Sequence, residues 1–490
     1  MNLKILLKIL RRILYMLKKW KLYWIVTVIF MLLSGCVTPP SQTQTGSMPD
    51  AVSSAILHPQ NLSAGDRYTP ELGNSGYDIQ HYILKLDLIP GRRSLNGEVT
   101  IAAVATMEEL KQISLDFIGF DVQTVAIDGL PAPFFRNKTK LIINLPGSFS
   151  TNQAFQIAVQ YRGAPPKDRS KYQDYLDYLG LQATGDLLYV ASEPDGARNW
   201  FPCNDHPRDK ATFRFELTVP EGYTGIANGA LSEARIGSTP DRPESKTTDF
   251  FVWEHRFPMA TYLATIAAGK YVRLETVSPK GVLLRHYIWD KYRKDFETNS
   301  ASIGEALDWM SEKFGAYPFE EFGYTLIKAK KKWALETQAN VLVDREFIRE
   351  KVLVHEMAHM WFGDWVSLDS WQEMWRNEGF ATYVQLLWEY RDKPAALDKE
   401  METEIKYPPK GFFPLGEPPH KYLFDRFVYN KGTLFVHDLR KTMGDEAFFR
   451  GLRLYFKRFG GRTATDADFR IVMEEAAGIS LEDLFKKWLK

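Results

Sequence analysis

Val354-His355-Glu356-Met357-Ala358-His359, followed by Trp371-Gln372-Glu373-Met374-Trp375-Arg376-Asn377-Glu378-Gly379-Phe380-Ala381, is the stretch on which the reading of this chain turns. Apolar residues recur at helical spacing from Phe347 to Phe362, which predicts a helix there. Residues four apart share one face of a helix, so His355 and His359 can hold one zinc ion between them at about 2.0–2.1 Å. Glu356 then points to the side of the metal where water would sit. A catalytic zinc takes a third protein ligand and keeps a fourth position open. Glu378 meets that need, with 18 residues between it and His359. A buried glutamate at the start of a helix is costly unless it is paired or coordinates a metal. An ordinary exposed helix face is the competing reading, but it does not account for both halves occurring at this spacing.

Around this stretch, residues 272–490 show helical spacing over Phe296 to Lys313, Glu378 to Arg391, Val428 to Thr442 and Ala467 to Ala477. That half is expected to be mainly helical. Residues 61–271 differ: Tyr82 to Leu88, Gly97 to Ile101 and Phe213 to Val219 alternate in character between turn signals such as Pro90-Gly91, Asn96-Gly97, Asp128-Gly129 and Asn228-Gly229. Period-two alternation broken by such dipeptides predicts a β-rich domain.

The chain has 490 residues, of which 45% are hydrophobic and 25% charged, values that exclude disordered, collagen-like and multi-spanning membrane proteins. Residues 1–35 hold seven Lys and Arg and no acid; the remainder carries 55 basic against 61 acidic residues. That balance gives no electrostatic case for nucleic-acid binding. Lys18, Lys19 and Lys21 precede an apolar run from Leu22 to Leu33, followed by Ser34, Gly35 and Cys36. This is the pattern of a signal peptide over residues 1–35, and the run falls short of the roughly 20 apolar residues of a membrane span, so an uncleaved anchor is the weaker reading. A second basic stretch, Leu3 to Leu17, reads as a membrane-surface helix or as sequence ahead of a start at Met16, the latter being favoured. Leu33-Ser34-Gly35-Cys36 resembles a bacterial lipobox, which implies lipidation of Cys36 and a membrane anchor. Residues 36–60 would then be a flexible tether. Cys203 would be the one remaining thiol, so no intramolecular disulfide is expected.

His355-Glu356-x-x-His359 with 18 residues before Glu378, in Trp-x-x-x-Trp-x-Asn-Glu-Gly-Phe-Ala, resembles the zinc aminopeptidases of the aminopeptidase N type. Phe201-Pro202-Cys203-Asn204-Asp205-His206-Pro207 and Pro258-Met259-Ala260-Thr261-Tyr262-Leu263 are similar to further segments of that family, so the resemblance covers about residues 75–490. It implies a saddle-shaped β-domain followed by a mainly helical, thermolysin-like catalytic domain with one Zn²⁺ per chain. It implies peptide substrates with a free N-terminus, their α-ammonium held by Glu336, in Trp333-Ala334-Leu335-Glu336-Thr337, and by Glu193. The family usually carries Gly-Ala-Met-Glu-Asn at 333–337, so Trp333 and Thr337 depart from it. Tyr429, in Tyr429-Asn430-Lys431-Gly432, matches the family's oxyanion donor, and Gln385 stands where many relatives have a glutamate. The implied chemistry is attack by a zinc-activated water, with Glu356 moving the proton.

For Glu193 and Glu336 the competing reading is a solvated surface carboxylate, and for Tyr429 a half-buried core tyrosine. Cys203 is not expected to be a nucleophile, nor His206 a ligand. Two other functions fit the same residues. A zinc endopeptidase is disfavoured by Glu193 and Glu336, and a non-catalytic peptide-binding lipoprotein by intact Glu356 and Tyr429. The chain ends about where the family's catalytic domain finishes, which leads to the expectation of an open cleft or of a site completed by a partner chain. Val37 after the lipidated cysteine favours the periplasmic face of the outer membrane in a diderm cell.

Overall fold

The computed structural model describes residues 62–165, 179–238, 247–406 and 413–490. The expected signal peptide, Cys36 and the tether lie outside the described residues. No described helix is long and apolar enough to cross a membrane.

The first half is built on an eight-stranded sheet. Its order is Ala230–Ser238, Thr248–Met259, Ala211–Pro220, Tyr77–Leu88, Leu95–Ala105, Ala154–Gly163, Asp121–Ile127 and Leu130–Pro131. Strand Ala211–Pro220 shows why: Ala211, Phe213, Phe215, Leu217 and Val219 are buried and the residues between them are not. Each large apolar side chain so buried contributes about 1.5–3 kcal/mol. This strand pairs in parallel with Tyr77–Leu88, His81 facing Thr212 and Asp87 facing Thr218. Tyr82 stacks on Phe213 with ring centroids 4.8 Å apart. Asp128-Gly129 makes the expected tight turn, with φ of 50° and 78°. Asn96-Gly97 does not: it lies within strand Leu95–Ala105. A Cβ on Gly97 would stand 2.5 Å from the Tyr161 ring, so this glycine makes room for an aromatic side chain and does not reverse the chain.

The second half does not begin with helices. A five-stranded sheet comes first, in the order Val272–Val277, Leu283–Ile288, Glu321–Ile327, Asn340–Asp344 and Ala334–Leu335. Strands Glu321–Ile327 and Asn340–Asp344 are buried at every position, so their sequence carries no alternation to read. The expected helix from Phe296 to Lys313 is two helices, Arg293–Asn299 and Ile303–Phe314. Helices Glu350–Ala358, Trp375–Glu389, Pro394–Lys406, Arg426–Met443, Asp445–Phe459, Asp466–Ala477 and Glu482–Leu489 follow the sheet. Asp425 caps the fourth of these, its side chain accepting from the Phe427 amide at 2.8 Å. Thr465 and Asp468 form a reciprocal capping box on the sixth.

Polar side chains tie the halves together. Ser370 Oγ donates to the Asp66 carboxylate at 3.0 Å, Arg208 pairs with Asp369 at 2.8 Å, and Lys210 Nζ donates to the Asp364 carbonyl at 2.7 Å. Asn228 Nδ2 donates to the carbonyl of Gln338, at the turn after the edge strand Ala334–Leu335. These bonds fix the edge strand against the β-rich half.

Candidate active site

Helix Glu350–Ala358 carries His355 and Glu356, and His359 occupies its C-cap with φ −60° and ψ −22°. The predicted helix therefore ends four residues early, but His359 keeps helical dihedrals and the one-face spacing survives. Tyr324, from the central strand of the sheet, donates its hydroxyl to the Leu353 carbonyl at 2.6 Å and seats the helix. The Nε2 atoms of His355 and His359 come within 3.3 Å of each other. Glu378, in the first turn of helix Trp375–Glu389, brings Oε2 to 3.4 Å from His355 Nε2 and 3.7 Å from His359 Nε2.

Three observations test whether these residues fit a metal ion. Donors bound at about 2.0–2.1 Å in a tetrahedron stand about 3.3–3.4 Å apart, close to the separations here. His359 Nδ1 lies 3.0 Å from the Phe362 carbonyl, which can only accept, so Nδ1 carries a proton and Nε2 is the ring nitrogen left to bind a metal. Glu378 Oε2 is buried with no hydrogen-bond partner among the described residues. Two imidazoles and one carboxylate are a donor set that suits zinc. The residues fit.

Four carboxyl groups crowd this point. Glu336 and Glu193 each come within 4.8 Å of Glu378, and Glu336 comes equally close to Glu356 and His359. All are at least 93% buried, so the surface-carboxylate reading of Glu193 and Glu336 does not hold. Burial, then the neighbouring charges of Glu336 and Glu378, pushes Glu193 well above the usual carboxylate range. Glu336 is raised by burial and by Glu378. Glu356 is also held well above that range by burial and by Glu336 and Glu378, against the pull of His359. Glu378 moves the other way: burial opposes its charge, but His359 and His355 outweigh that and bring it to about 2.

Each group is positioned from a different part of the chain. Glu193 sits in the β-rich half, just ahead of a buried turn in which Arg198 pairs with Asp195 and its amide donates to Asp205. Asp205 also accepts from Thr261, so both family-like segments of the first half hold this turn in place. Cys203 and His206 have structural roles. The Cys203 thiol is buried and pushed up by burial, and His206 Nε2 lies 3.2 Å from Asp66. Tyr429 lies in the second turn of helix Arg426–Met443, its ring parallel to that of His355 with centroids 6.3 Å apart.

All seven candidate residues line one cavity of about 700 Å³, as does Gln385. Sequence reading passed over Phe347, Thr382 and Phe424, which line the same cavity, because no spacing links them to the metal motif. It also passed over Asp364, fully buried beyond His359 with both carboxylate oxygens unpartnered among the described residues.

The model of the peptidase M1 N-terminal domain matches residues 78–263, and that of the peptidase family M1 domain matches 304–407 and 417–488. The chain belongs to peptidase family M1. Among M1 relatives, it is 28% identical over 341 residues to aminopeptidase N of Streptomyces lividans, covering 62% of this chain and 38% of that protein. It is 26% identical over 447 residues to aminopeptidase N of Lactobacillus delbrueckii subsp. lactis, covering 84% of this chain and 50% of that one. The chain thus spans half or less of each. An M1 zinc metallopeptidase of Deinococcus radiodurans, a mutant bound to a Tyr-Ser-Ala substrate, superposes with a TM-score of 0.79 at 29% identity. That match covers 87% of this chain and 97% of the other.

Proposed function

We propose that this chain is a zinc aminopeptidase that removes the first residue of a peptide. The observation that carries the reading is the placement of Glu193 and Glu336 within 4.8 Å of Glu378. Two buried carboxyl groups beside the metal donors would end the cleft there for a bound peptide, and an ammonium is the group they bind best. An endopeptidase would need that end open. The M1 relatives named aminopeptidase and the substrate-bound Deinococcus structure support the same reading.

His355, His359 and Glu378 would hold the zinc, which when bound supplies a Lewis acid and lowers the pKa of water in its open position. Glu193 and Glu336 bind the α-ammonium and so fix which carbonyl faces the metal site. Glu356, kept basic in its buried setting, accepts the proton of the attacking water and delivers it to the departing amine. The Tyr429 hydroxyl donates a hydrogen bond to the oxygen that gains charge.

The test is zinc content together with release of amino acids from free and N-acetylated peptides, on protein lacking residues 1–36. One zinc per chain with cleavage of free N-termini only is the expected result. Cleavage of blocked peptides would make it an endopeptidase, and bound zinc without turnover of either would favour the peptide-binding reading.

Lipidation at Cys36, with anchoring to the periplasmic face of the outer membrane if the cell is diderm, is proposed from the sequence of residues 18–37. Mass spectrometry of the detergent-extracted N-terminal peptide is expected to show acylated Cys36 as its first residue. An unmodified cysteine inside a longer peptide would refute it.

A further inference from the structure

The charges lining the cavity are sorted by depth. Its buried charged residues are the four glutamates, whereas the exposed ones are Lys331, Lys332, Lys351 and Arg426, all cations. The sorting runs against the rest of the chain, which beyond residue 35 has an excess of acids. Lys332 lies 3.6 Å from Glu346, which Arg345 also contacts. Among the described residues, no acid is joined to Lys331, Lys351 or Arg426.

The path of a bound peptide places these cations. Strand Ala334–Leu335 is the edge of its sheet and lines the cavity, so an extended peptide can pair with it. With its amine at Glu336 the peptide cannot continue past that residue, because Thr337 and Gln338 are fully buried. It runs back along the edge, past Ala334 to Trp333, Lys332 and Lys331. On the facing walls, Lys351 precedes His355 by four residues and Arg426 precedes Tyr429 by three. Each cation therefore stands one helical turn outward from a residue of the catalytic centre, on the same helix face. One turn is about 5.4 Å and a peptide residue advances about 3.3 Å. The cations thus meet the first or second residue beyond the bond that is cut.

Helix stability does not account for two of them. Lys351 and Arg426 occupy the first turns of helices Glu350–Ala358 and Arg426–Met443, where the helix dipole disfavours positive charge. Glu350, the acid of the first of these turns, is held by Ser302 and Trp388. Asp425 and Glu350 already place a carboxylate at each of these N-termini, so what draws anions to the cleft mouth is the exposed cations themselves.

We infer that the enzyme prefers peptides with a carboxylate one or two residues beyond the scissile bond. The carboxylate is an acidic side chain or, in dipeptides and tripeptides, the C-terminus itself. This rests on the aminopeptidase reading and adds a substrate class to it.

The test compares kcat/KM of the zinc-loaded protein for an alanyl arylamide, which ends at the scissile bond, with two peptide pairs. One pair is Ala-Ala-Ala as free acid and as C-terminal amide. The other is a blocked-C-terminus pentapeptide with Asp or Asn at its second position. A preference of about 5- to 10-fold for the charged member is expected at low salt, the sum of a few exposed charge interactions. It should fall to about 2-fold or less in about 0.5 M salt, where the screening length is near 4 Å. The variant K331Q/K351Q/R426Q should lose the discrimination even at low salt. A preference in the first pair alone assigns the mouth to short peptides, and in the second alone to acidic side chains. Equal rates within both pairs, with the arylamide hydrolysed, would overturn this inference and leave the aminopeptidase standing. No hydrolysis of the arylamide or of any peptide would overturn both.

Discussion

Glu356 and Glu378 are buried carboxyl groups of the same site whose proton affinities are driven apart. Glu378 faces two imidazoles and falls to about 2, whereas Glu356, beside Glu336 and Glu378, is held up. In the proposed mechanism Glu378 is a metal ligand and Glu356 the group that moves the proton. Glu356→Gln keeps the size of the side chain and one acceptor oxygen but cannot take a proton. Its kcat should fall by about 10²- to 10⁴-fold, with zinc per chain unchanged by elemental analysis. Away from the site, His286 is packed against Phe296 and Tyr324, and its ring accepts from the Tyr324 amide at 3.2 Å. Burial lowers its pKa from 6.5 to about 3. Below pH 6.5 the unfolded chain takes up a proton here that the folded chain refuses until about 3. The folded state therefore loses about 1.4 kcal/mol per pH unit across that window from this residue. His286→Gln should be less stable at neutral pH but show a shallower loss of unfolding free energy between about pH 6 and about pH 4.5. Parallel slopes in urea titrations would show that His286 is protonated in the fold.

Helices Trp375–Glu389 and Arg426–Met443 cross where Gly379 meets Gly432. A Cβ on Gly379 would stand 2.7 Å from the Gly432 carbonyl carbon, and one on Gly432 would stand 3.0 Å from the Gly379 Cα. Both obstacles are backbone, so neither can turn aside. The glycines next to Glu378 and Lys431 read in the sequence as parts of motifs, but their physical task is to let two helices touch. That contact sets how far Tyr429, on one helix, stands from Glu378, on the other. Gly432→Ala should destabilise the protein by about 1–3 kcal/mol, as overpacking does, and should lower kcat more than it raises KM. Thermal unfolding with steady-state kinetics checks both; a variant with wild-type values would mean that the helices part freely. The edge strand Ala334–Leu335 is a second element with one task. It spans two residues, and its bonds to Asn340–Asp344 hold Glu336 beside Glu356, His359 and Glu378.

Across the whole molecule, the proposed amine site is assembled from both halves. Glu193 comes from the β-rich half and Glu336 from the sheet of the other, and their two carboxyl groups meet beside the metal donors. Residues 57–490 form one compact unit with several polar bonds between the halves. Calorimetry should therefore show a single unfolding transition; two resolved transitions would mean that the halves unfold independently. Removing zinc with a chelator should abolish peptide hydrolysis and lower the unfolding temperature. Zinc at a hundred times its Kd would restore about 2.7 kcal/mol by mass action.

The candidate metal ligands were legible because a helix converts sequence spacing directly into distance: His355 and His359 meet at 3.3 Å because they are four residues apart. The β-rich half was legible because a sheet buried on one face writes its alternation into strands such as Ala211–Pro220. Neither rule reaches the five-stranded sheet, whose inner strands are buried on both faces and carry no period. Nor do they separate Asn96-Gly97, where glycine yields to an aromatic ring, from Asp128-Gly129, where it turns the chain. The charge pattern of the cleft was likewise beyond reach of the sequence. Lys331, Lys351 and Arg426 belong to three separate segments, and only packing brings them to one opening. Local geometry determined the chemistry of the metal donors; long-range contacts, which no spacing encodes, decided where the cleft closes and what charge guards its mouth.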